Sequence, residues 1–335
     1  MGSTRKNRDR HLNLTALDAA ELARLYHTNQ HLWQGSGPFV SEPWLRAWWD
    51  SLGEPYSWLV VRVDKGAEPV AVVPLMVRGD TAAMIGSDDL CDHVDIAVAT
   101  GYEKDAAEAV LNFLGERELQ EFSAHAVRPG SVLLNHLVPT AKAAGATVAV
   151  ESAGVAAPLA LPRSWDEYLG MLSTKQRHEV RRKFRRLHEA GVVSRRLIDG
   201  GAEVDTALDL FFMQFRASRT DKQGFMTPAR EIFFRRLAHN LATAGMLVLQ
   251  VVEIDGVPAA TTFCMKDGTT LYLYNNGFNV DFKVLSIGTI SKVMMIDHAI
   301  ESGCTVFDFL NGAEPYKFRL GAGTVALAKV VIKWR

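Results

Sequence analysis

The stretch LVLQVVEIDGVPAATTFCMKDGTTLYLYNNGF, residues 247–278, consists of three apolar segments separated by two Asp-Gly pairs. Asp-Gly between alternating apolar residues is a strong signal for a tight hairpin turn, so the stretch predicts three antiparallel strands. A helix at about 288–302 and a strand at about 305–310 are predicted to follow. Residues 57–86 repeat this plan of strands and turns roughly 190 residues earlier, which favours an internal duplication and an α+β fold.

The length of the chain suits two domains of ordinary size or one large domain, and its charge is nearly balanced. Its 335 residues are 48% hydrophobic and carry a formal net charge of −1, so charge alone implies no strongly charged partner. The three cysteines, Cys91, Cys264 and Cys304, form no CxxC pair, which favours a reducing, cytoplasmic setting over a disulfide scaffold. The sequence has no apolar run long enough to cross a bilayer, and its basic, polar start is unlike a signal peptide. We therefore expect no membrane association.

Three regions are expected along the chain. Residues 1–14 are interpreted as a disordered tail, because they are polar and basic with no apolar segment among them. An N-terminal domain is expected at 15–155 and a C-terminal domain at 156–335. The C-terminal domain begins with a predicted basic helix at 173–190.

This basic helix has an unusual density of positive charge. Seven of the twelve residues from Lys175 to Arg186 are Lys or Arg, and several lie at i and i+4, where like charges destabilise a helix. A bound phosphate would offset that repulsion, because guanidinium groups hold phosphate through paired hydrogen bonds. Arg177 and Arg181 are therefore the predicted substrate contacts. The alternative is a solvated helix face whose charges pair with acids elsewhere.

The stretch VLSIGTISKVMM, residues 284–295, places Ser and Gly directly before an amphipathic helix. The first backbone N–H groups of a helix have no partner within the helix, and the helix dipole favours an anion there. Residues Ser286, Ile287, Gly288 and Thr289 are therefore predicted to bind a pyrophosphate. The alternative, an ordinary helix cap at Ser286, is equally compatible with this pattern.

The stretch FDFLNGAEPYKFRLGA, residues 307–322, gathers polar chemistry at the end of a predicted strand. Asp308 lies within the strand, where an unpaired carboxylate would be costly to bury. Glu314, Tyr316 and Lys317 follow within ten residues. A base, a phenolic acid and a fixed cation are what acyl transfer to an amine requires, so these four residues are the catalytic candidates.

Two further stretches contain aromatic or amide side chains that are candidates for ligand contacts. In YLYNNGFN, residues 272–279, the side chains of Tyr274, Asn275 and Asn276 either bind a ligand or close a bulge in the strand. Trp44 belongs to a tryptophan cluster at helical spacing, which indicates either core packing or an aromatic wall of a substrate pocket.

The stretch CDHVD places Cys91, His93 and Asp95 at alternate positions. On one side of a strand they would suggest a metal site or a Cys–His nucleophile. No partner cluster accompanies them, and a pairing along one strand is geometrically awkward, so neither is favoured. We predict no metal.

Several stretches of the chain resemble one acyltransferase family. LPRSWDEYLGMLSTKQRHEVRRKFRRLHEAG (161–191), YLYNNGFNVDFKVLSIGT (272–289) and FDFLNGAEPYKFRLGA resemble the GNAT acyltransferases of the cellulose-biosynthesis (CelD/BcsL) type, which are close in architecture to the FemABX peptidyltransferases. FVSEPWLRAWWDSLG and IGSDDLCDHVDIAV resemble the N-terminal half of such proteins. The resemblance covers residues 38–325 and is most specific in the last third.

The resemblance implies tandem GNAT-like domains, each a twisted mixed β-sheet flanked by helices. It implies that an acceptor amine attacks the activated acyl group directly, with acyl-CoA such as acetyl-CoA as the donor. The pantetheine would lie between the strands near 270–276, including Asn275, and 305–310, and the diphosphate would meet Ser286–Thr289. A lysine after an aromatic residue near the chain's end is a FemX-type pattern, which makes Lys317 the first catalytic candidate.

Three functions remain open from the sequence. The first is an acyl-CoA-dependent N-acyltransferase acting on a small-molecule, sugar or amino-acid amine. The usual Gln/Arg-x-x-Gly-x-Gly/Ala loop is absent, so the second is a FemABX-like transferase that takes its acyl group from aminoacyl-tRNA. The third is a non-catalytic, ligand-binding scaffold. The N-terminal copy is expected to be degenerate and to bind no diphosphate, because GYEKDAAEAV (101–110) places acids at its helix start. The sequence fixes neither the acceptor nor the oligomeric state.

Overall fold

The residues described by the computed structural model are 12–86, 89–218 and 224–334. The chain divides into two compact units. Unit 1 comprises Met1–Gly154 with Ala326–Arg335, and unit 2 comprises Val155–Val325. In the described part of the chain, no helix is both long enough and apolar enough to span a membrane.

Unit 1 is a mixed sheet with helices. Its strands are β1 (Leu12–Leu17), β2 (Ser57–Lys65), β3 (Glu68–Arg78), β4 (Thr81–Met84), β5 (Ala97–Val98), β6 (Glu121–Val127), the first half of β7 (Thr147–Ala160) and β13 (Val325–Lys333). Its α-helices are α1 (Ala19–Thr28), α2 (Glu42–Leu52), α3 (Glu103–Glu116) and α4 (Val138–Ala143). The sheet runs β1-β2-β3-β4-β6-β13, with β4 and β6 parallel and the other neighbours antiparallel.

Two boundaries of unit 1 differ from the sequence-based expectation. Residues 12–14, which were assigned to the disordered tail, form the start of β1, because this segment pairs with β2. The rest of the predicted tail, residues 1–11, lies outside the described residues. Residues 326–335 were assigned to the C-terminal domain, yet they cluster with unit 1 because β13 pairs with β6.

The CDHVD stretch is irregular rather than a strand. The carboxylate of Asp95 accepts the N–H groups of Val132 (3.1 Å) and Leu133 (3.3 Å), where a helical segment begins. Burial raises the pKa of Asp95 to about 6 and lowers the pKa of His93 to about 3. Within the described ranges, no group of three or more His, Cys, Asp or Glu side chains is arranged to hold a metal ion.

Unit 2 has the same kind of architecture. Its strands are the second half of β7, β8 (Val193–Ile198), β9 (Leu247–Ile254), β10 (Val257–Asp267), β11 (Thr270–Phe278) and β12 (Val306–Asn311). Its α-helices are α5 (Trp165–Met171), α6 (Thr174–Glu189), α7 (Glu203–Ser218), α8 (Pro228–Thr243), α9 (Ile287–Glu301) and α10 (Pro315–Arg319). The sheet runs β7-β12-β11-β10-β9-β8, with β11 and β12 parallel. A mixed sheet flanked by helices in each unit confirms the predicted fold class.

The meander predicted from residues 247–278 is confirmed, and its first turn shows why the sequence folds this way. Asp255 and Gly256 join β9 to β10 and have φ angles of 50° and 77°. Two positive φ angles define a type I′ turn, whose twist matches that of the flanking strands and which favours Asp-Gly. The Asp255 carboxylate also accepts the N–H of Val192 at 2.8 Å, which ties the turn to the start of β8.

Helices cover both faces of the unit 2 sheet. Phe263 packs against Phe211 of α7, whereas its neighbour Cys264 belongs to the core cluster that contains Val293 of α9. Successive residues of a strand point to opposite faces, so α7 and α9 lie on opposite sides of the sheet. The start of α9 lies close to the end of β11, because Gly288 packs against the ring of Phe278.

Candidate active site

The site begins with a fork between the two parallel strands of unit 2. β11 and β12 pair at only three positions, Thr270 with Val306, Leu271 with Phe307, and Tyr272 with Asp308. β11 continues to Phe278, and beyond Tyr272 it has no described pairing with β12. The backbone groups that line the open part of the fork are therefore available to a ligand.

A β-bulge lies in β11 next to this fork. Phe263 pairs with Asn275 and Cys264 with Leu273, which leaves Tyr274 as the extra residue. The Tyr274 ring packs on Phe234 and Phe263, with centroid separations of 5.5 and 5.9 Å. A bulge redirects side chains and interrupts the regular hydrogen bonds of a strand, which is why bulges recur beside active sites.

The two predicted amide contacts follow the bulge. The Asn275 side-chain oxygen accepts the N–H of Asn276 at 3.1 Å, so this amide closes a local loop of the backbone. Asn276 is buried within β11. Both positions lie on the strand that borders the fork, as the sequence predicted, and ligand binding by them remains a prediction.

The end of β12 is an unusual piece of backbone. Asp308 is buried, and its carboxylate accepts the N–H of Leu310 at 2.8 Å. Leu310 itself has a φ of 59°, a left-handed conformation that is uncommon for a residue with a branched side chain. Asp308 therefore holds the strained turn at the end of the strand.

Lys317 holds this turn through hydrogen bonds from its side chain. Its side chain is 3% exposed, and its Nζ donates to the carbonyl groups of Leu310 (3.3 Å), Asn311 (2.7 Å) and Gly312 (3.2 Å). The carboxylate of Glu314 lies 3.0 Å from the same Nζ. The ammonium group is thus engaged by four oxygen atoms of its own loop. This geometry fits a cation that positions the loop rather than one that contacts a substrate.

Tyr316 is the catalytic candidate whose side chain reaches a cavity. Its ring packs edge-to-face on Phe309, with centroids 6.1 Å apart. The Nζ of Lys292 lies 4.9 Å from the centroid of the Tyr316 ring and donates to the Gly288 carbonyl. Lys292, a buried lysine of α9, therefore links the Tyr316 ring to the start of its own helix. Lys292 was not among the predicted residues, although a lysine on the apolar side of a helix is a visible signal in the sequence.

The start of α9 presents backbone donors. Ser286 has a φ of 58°, and the first intrahelical bonds are those from the N–H groups of Thr289 and Ile290 to the Ser286 carbonyl. The N–H groups of Ile287 and Gly288 precede these bonds and point beyond the helix end. A Cβ at Gly288 would lie 2.7 Å from a ring carbon of Phe278, so a larger residue does not fit there.

A cavity of about 580 Å³ opens beside this helix end. Its lining residues come from the start of α6, the start of α9 and the segment around α10: Ser173, Lys175, Gln176, Glu179, Val180, Lys183, Thr289, Ile290, Val293, Tyr316, Arg319 and Leu320. Three of these side chains are cationic, and the single acid is Glu179. The Glu179 carboxylate is bound by Arg182 at 2.8 Å and by Lys183 at 3.5 Å, and the hydrogen bond from Arg182 lowers the pKa of this carboxyl group.

The cationic side chains of the cavity differ from those predicted. The basic helix was predicted correctly, and α6 does contribute Lys175 and Lys183, but Arg177 and Arg181 do not line this cavity. Arg181 instead lines a smaller cavity of about 360 Å³ with Asp166 and Asp297. At 3.6 residues per turn, positions 175 and 183 lie on one side of the helix, whereas positions 177 and 181 lie on the other side.

One other predicted position is settled by its burial. Trp44 lies in unit 1, is 0% exposed and packs edge-to-face on Phe39 with a centroid separation of 5.5 Å. It is therefore a core residue rather than the wall of a pocket. Arg319, which lines the cavity, was not among the predicted residues, although it lies two residues after Lys317 in the same polar stretch.

Comparisons with known proteins agree with this geometry. Residues 174–318 match the family described as the acetyltransferase (GNAT) domain. The chain is similar in structure to FemX, with a TM-score of 0.64, 12% sequence identity and coverage of 94% of this chain and 96% of FemX. It is also similar to L-PGS from Bacillus licheniformis, with a TM-score of 0.59, 10% identity and coverage of 94% and 92%.

A third similar structure is a tandem GNAT protein from the clavulanic acid biosynthesis pathway. Its TM-score is 0.54, with 12% identity and coverage of 96% of this chain and 98% of that protein. No match was found among curated protein sequences. The CelD/BcsL type is not among these findings. Residues 174–318 thus match the acetyltransferase (GNAT) domain family, and the fold of the chain is similar to those of FemX and of a tandem GNAT protein.

Proposed function

We propose that the protein is an N-acyltransferase that moves an acyl group from acyl-CoA to the amine of a small-molecule, sugar or amino-acid acceptor. One observation carries the proposal: the start of α9 adjoins a cavity lined by three cationic side chains. The same helix start packs against Phe278, at the end of the strand that borders the open fork of β11 and β12. A fork of this kind accepts an extended thioester donor, and a helix start with nearby cations accepts its diphosphate. We assign this activity to unit 2.

The residues present suit the donor. The N–H groups of Ile287 and Gly288 and the side chains of Lys183 and Arg319 would hold the diphosphate. Gly288 permits the close approach of the helix start to Phe278. The acid of the cavity, Glu179, is already neutralised by Arg182 and Lys183, so it does not repel an anion.

The chemistry requires few groups. The acceptor nitrogen attacks the thioester carbonyl carbon, a C–N bond forms, and the C–S bond then breaks. The Tyr316 hydroxyl would donate a proton to the departing thiolate, and the nitrogen would lose its proton to solvent or to the acceptor's own base. Asp308 and Lys317 act indirectly in this proposal, because both hold the loop that carries Tyr316.

Calorimetric titration with acetyl-CoA and with CoA tests the donor site. We expect saturable binding at one site per chain. Lys183→Gln and Arg319→Gln should each weaken the affinity about 10-fold, equivalent to about 1.4 kcal/mol. Arg185→Gln is the matched control, because Arg185 lies on α6 and pairs with Glu189 outside the cavity. Absence of binding to the wild-type protein would exclude acyl-CoA as the donor. A bulky residue at Gly288 is a poor test, since it clashes with Phe278.

The role of Tyr316 requires a separate measurement. With an amine that gives turnover, Tyr316→Phe should lower kcat by about 100-fold, as expected when a general acid is lost. The affinity for acetyl-CoA should stay unchanged, since the aromatic ring is retained. An unchanged kcat would remove Tyr316 from the mechanism. Binding without turnover for any amine class would favour the non-catalytic scaffold.

A second candidate is an aminoacyl-tRNA-dependent transferase. The exposed arginines of α6, including Arg181 and Arg185, favour it, as does the structural similarity to FemX. A protein that neutralises many phosphates loses affinity steeply with salt through counterion release. Transfer from charged tRNA that falls more than about 10-fold between 50 and 200 mM salt would support this candidate. Arg177→Ala and Arg181→Ala should then weaken binding of the tRNA but not of acetyl-CoA.

A further inference from the structure

Unit 1 contains a second cavity, of about 550 Å³, at the position that corresponds to the fork of unit 2. β4 and β6 pair in parallel at only three positions, Thr81 with Glu121, Ala82 with Phe122, and Ala83 with Ser123. The cavity lies where these strands separate, and its volume falls within the range of small-molecule pockets. Its lining residues are Tyr56, Met76, Arg78, Thr81, Ala83, Met84, Gly86, Cys91, Val94, Ser123, Ala124, His125 and Lys329.

The charged side chains that line this cavity are all basic. Arg78, His125 and Lys329 come from three different strands, and no described lining residue is Asp or Glu. Within the described part of the chain, neither Arg78 nor Lys329 forms an ion pair. Both contrast with Arg62 and Lys333 of the same sheet, which pair with Asp64 and Glu121. Two unpaired cations beside a concave surface favour an anionic ligand.

The rest of the lining is apolar. Met76, Met84 and Val94 are buried and form part of the cavity wall. Arg78 and Lys329 are exposed, so the positive charge lies towards solvent and the apolar surface lies deeper. A ligand that fits both parts has an anionic head and an apolar body.

The backbone at this cavity is strained. His125 and Ala126 of β6 lie opposite the single residue Lys329 of β13, because the pairing shifts between Ala124 with Val330 and Val127 with Ala328. Ala126 is fully buried and has a φ of 54°. Such a bulge redirects the side chains on both strands, and both His125 and Lys329 line the cavity. Strained backbone of this kind concentrates at ligand sites.

We infer that the fork of unit 1 binds a small organic anion, a carboxylate or a phosphate ester on an apolar body. This site is separate from the donor site of the proposed function. The head group contacts Arg78 and Lys329, and the apolar body contacts the methionines. Unit 1 is then a ligand-binding domain in its own right, although the start of α3 is not suited to a diphosphate.

Saturation-transfer NMR on the full chain tests this inference, with benzoate, phenyl phosphate and the uncharged benzyl alcohol as probes. We expect benzoate or phenyl phosphate to bind at least 10-fold more tightly than benzyl alcohol, and the better of the two identifies the head group. Arg78→Gln combined with Lys329→Gln should abolish the preference. Ala83→Leu, which fills the cavity, should weaken the binding of every probe.

Two controls keep the test specific. Lys104→Gln removes an exposed cation that pairs with Glu108 on α3 and should leave probe binding unchanged. The affinity for acetyl-CoA should be the same in the Arg78 and Lys329 variants as in the wild type, which separates this site from the donor site. Equal binding of the charged and uncharged probes, or no binding of any probe, would overturn the inference.

Discussion

The two forks share a backbone plan and differ in the groups that surround it. In each unit, two parallel strands pair at three positions, β4 with β6 and β11 with β12. In each unit the second of these strands then forms a bulge, in which two residues face one partner residue. These are His125–Ala126 opposite Lys329 in unit 1, and Phe309–Leu310 opposite Ala157 in unit 2. This repeated irregularity is what an internal duplication predicts.

The helices that follow the meanders have different starts. α9 begins with the unengaged N–H groups of Ile287 and Gly288. α3 begins with acids, and the pKa of the Glu103 carboxyl group is lowered by hydrogen bonds from its own backbone N–H and from the N–H of Gly101, which lies 2.9 Å away. The start of α9 therefore suits an anion, whereas the acids at the start of α3 do not.

The clearest difference is the cation that holds the bulge of unit 2. Lys317→Met would leave three carbonyl groups and Glu314 without their donor, so we expect the free energy of unfolding to fall by about 3 kcal/mol. Chemical denaturation measures this loss. Lys333→Met is the control, since its exposed pair with Glu121 is worth at most about 1 kcal/mol. Equal losses in the two variants would mean that Lys317 does not hold the bulge.

The stability of unit 1 should depend on pH through two buried groups, His93 and Asp95. The pKa of His93 is lowered from 6.5 to about 3 by burial, so below pH 6.5 the unfolded chain binds a proton that the folded chain does not. Stability is therefore lost as the pH falls, by about 2 kcal/mol between pH 7 and pH 5 from this group. Asp95 opposes it, because its pKa is raised from 3.8 to about 6 and the folded state takes up a proton near pH 6, which adds about 1 kcal/mol.

The melting temperature as a function of pH separates these two contributions. His93→Gln should lose less stability than the wild type between pH 7 and pH 5, and Asp95→Asn should lose more. His31→Gln, a change at an exposed position, should follow the wild-type curve. Parallel curves for all variants would show that neither group is held in the uncharged form by the fold.

The smallest expected effect concerns the strained alanine of unit 1. Ala126→Gly relieves a left-handed conformation worth about 1 kcal/mol, which offsets the loss of a buried methyl group. Ala124→Gly, on the same strand and equally buried, has no such compensation and should be about 1 kcal/mol less stable than Ala126→Gly. Denaturation midpoints of the two variants provide the comparison. If Ala126→Gly is the less stable of the two, the bulge is not strained.

The sequence predicts the fold well where local signals coincide. Alternating apolar residues and turns rich in Asp and Gly predict both meanders, and Ser286 with Gly288 locates the start of α9. The basic run identifies the helix that lines the cavity. The residues on its lining face were mispredicted, since Arg177 and Arg181 were selected for their guanidinium groups rather than for the side that faces α9.

Other features depend on contacts that a sequence does not display. The residue type and sequence position of Lys317 suggest a catalytic role, but in the structure its ammonium group donates to three carbonyl groups of its own loop. Trp44 belongs to a pattern compatible with either a core or a pocket, and only burial distinguishes them. The pairing of β13 with β6 joins segments about 200 residues apart, which no local propensity encodes.

That pairing has a consequence for synthesis. β6 ends at Val127 and its partner β13 begins at Val325. One edge of β6 therefore stays unpaired until the intervening chain has been translated. At rates of about 5–20 residues per second, the delay is on the order of 10–40 seconds. During that time the nascent unit 1 exposes an unpaired strand edge, to which chaperones or other chains can bind. Truncation before residue 325 would make that vulnerability permanent.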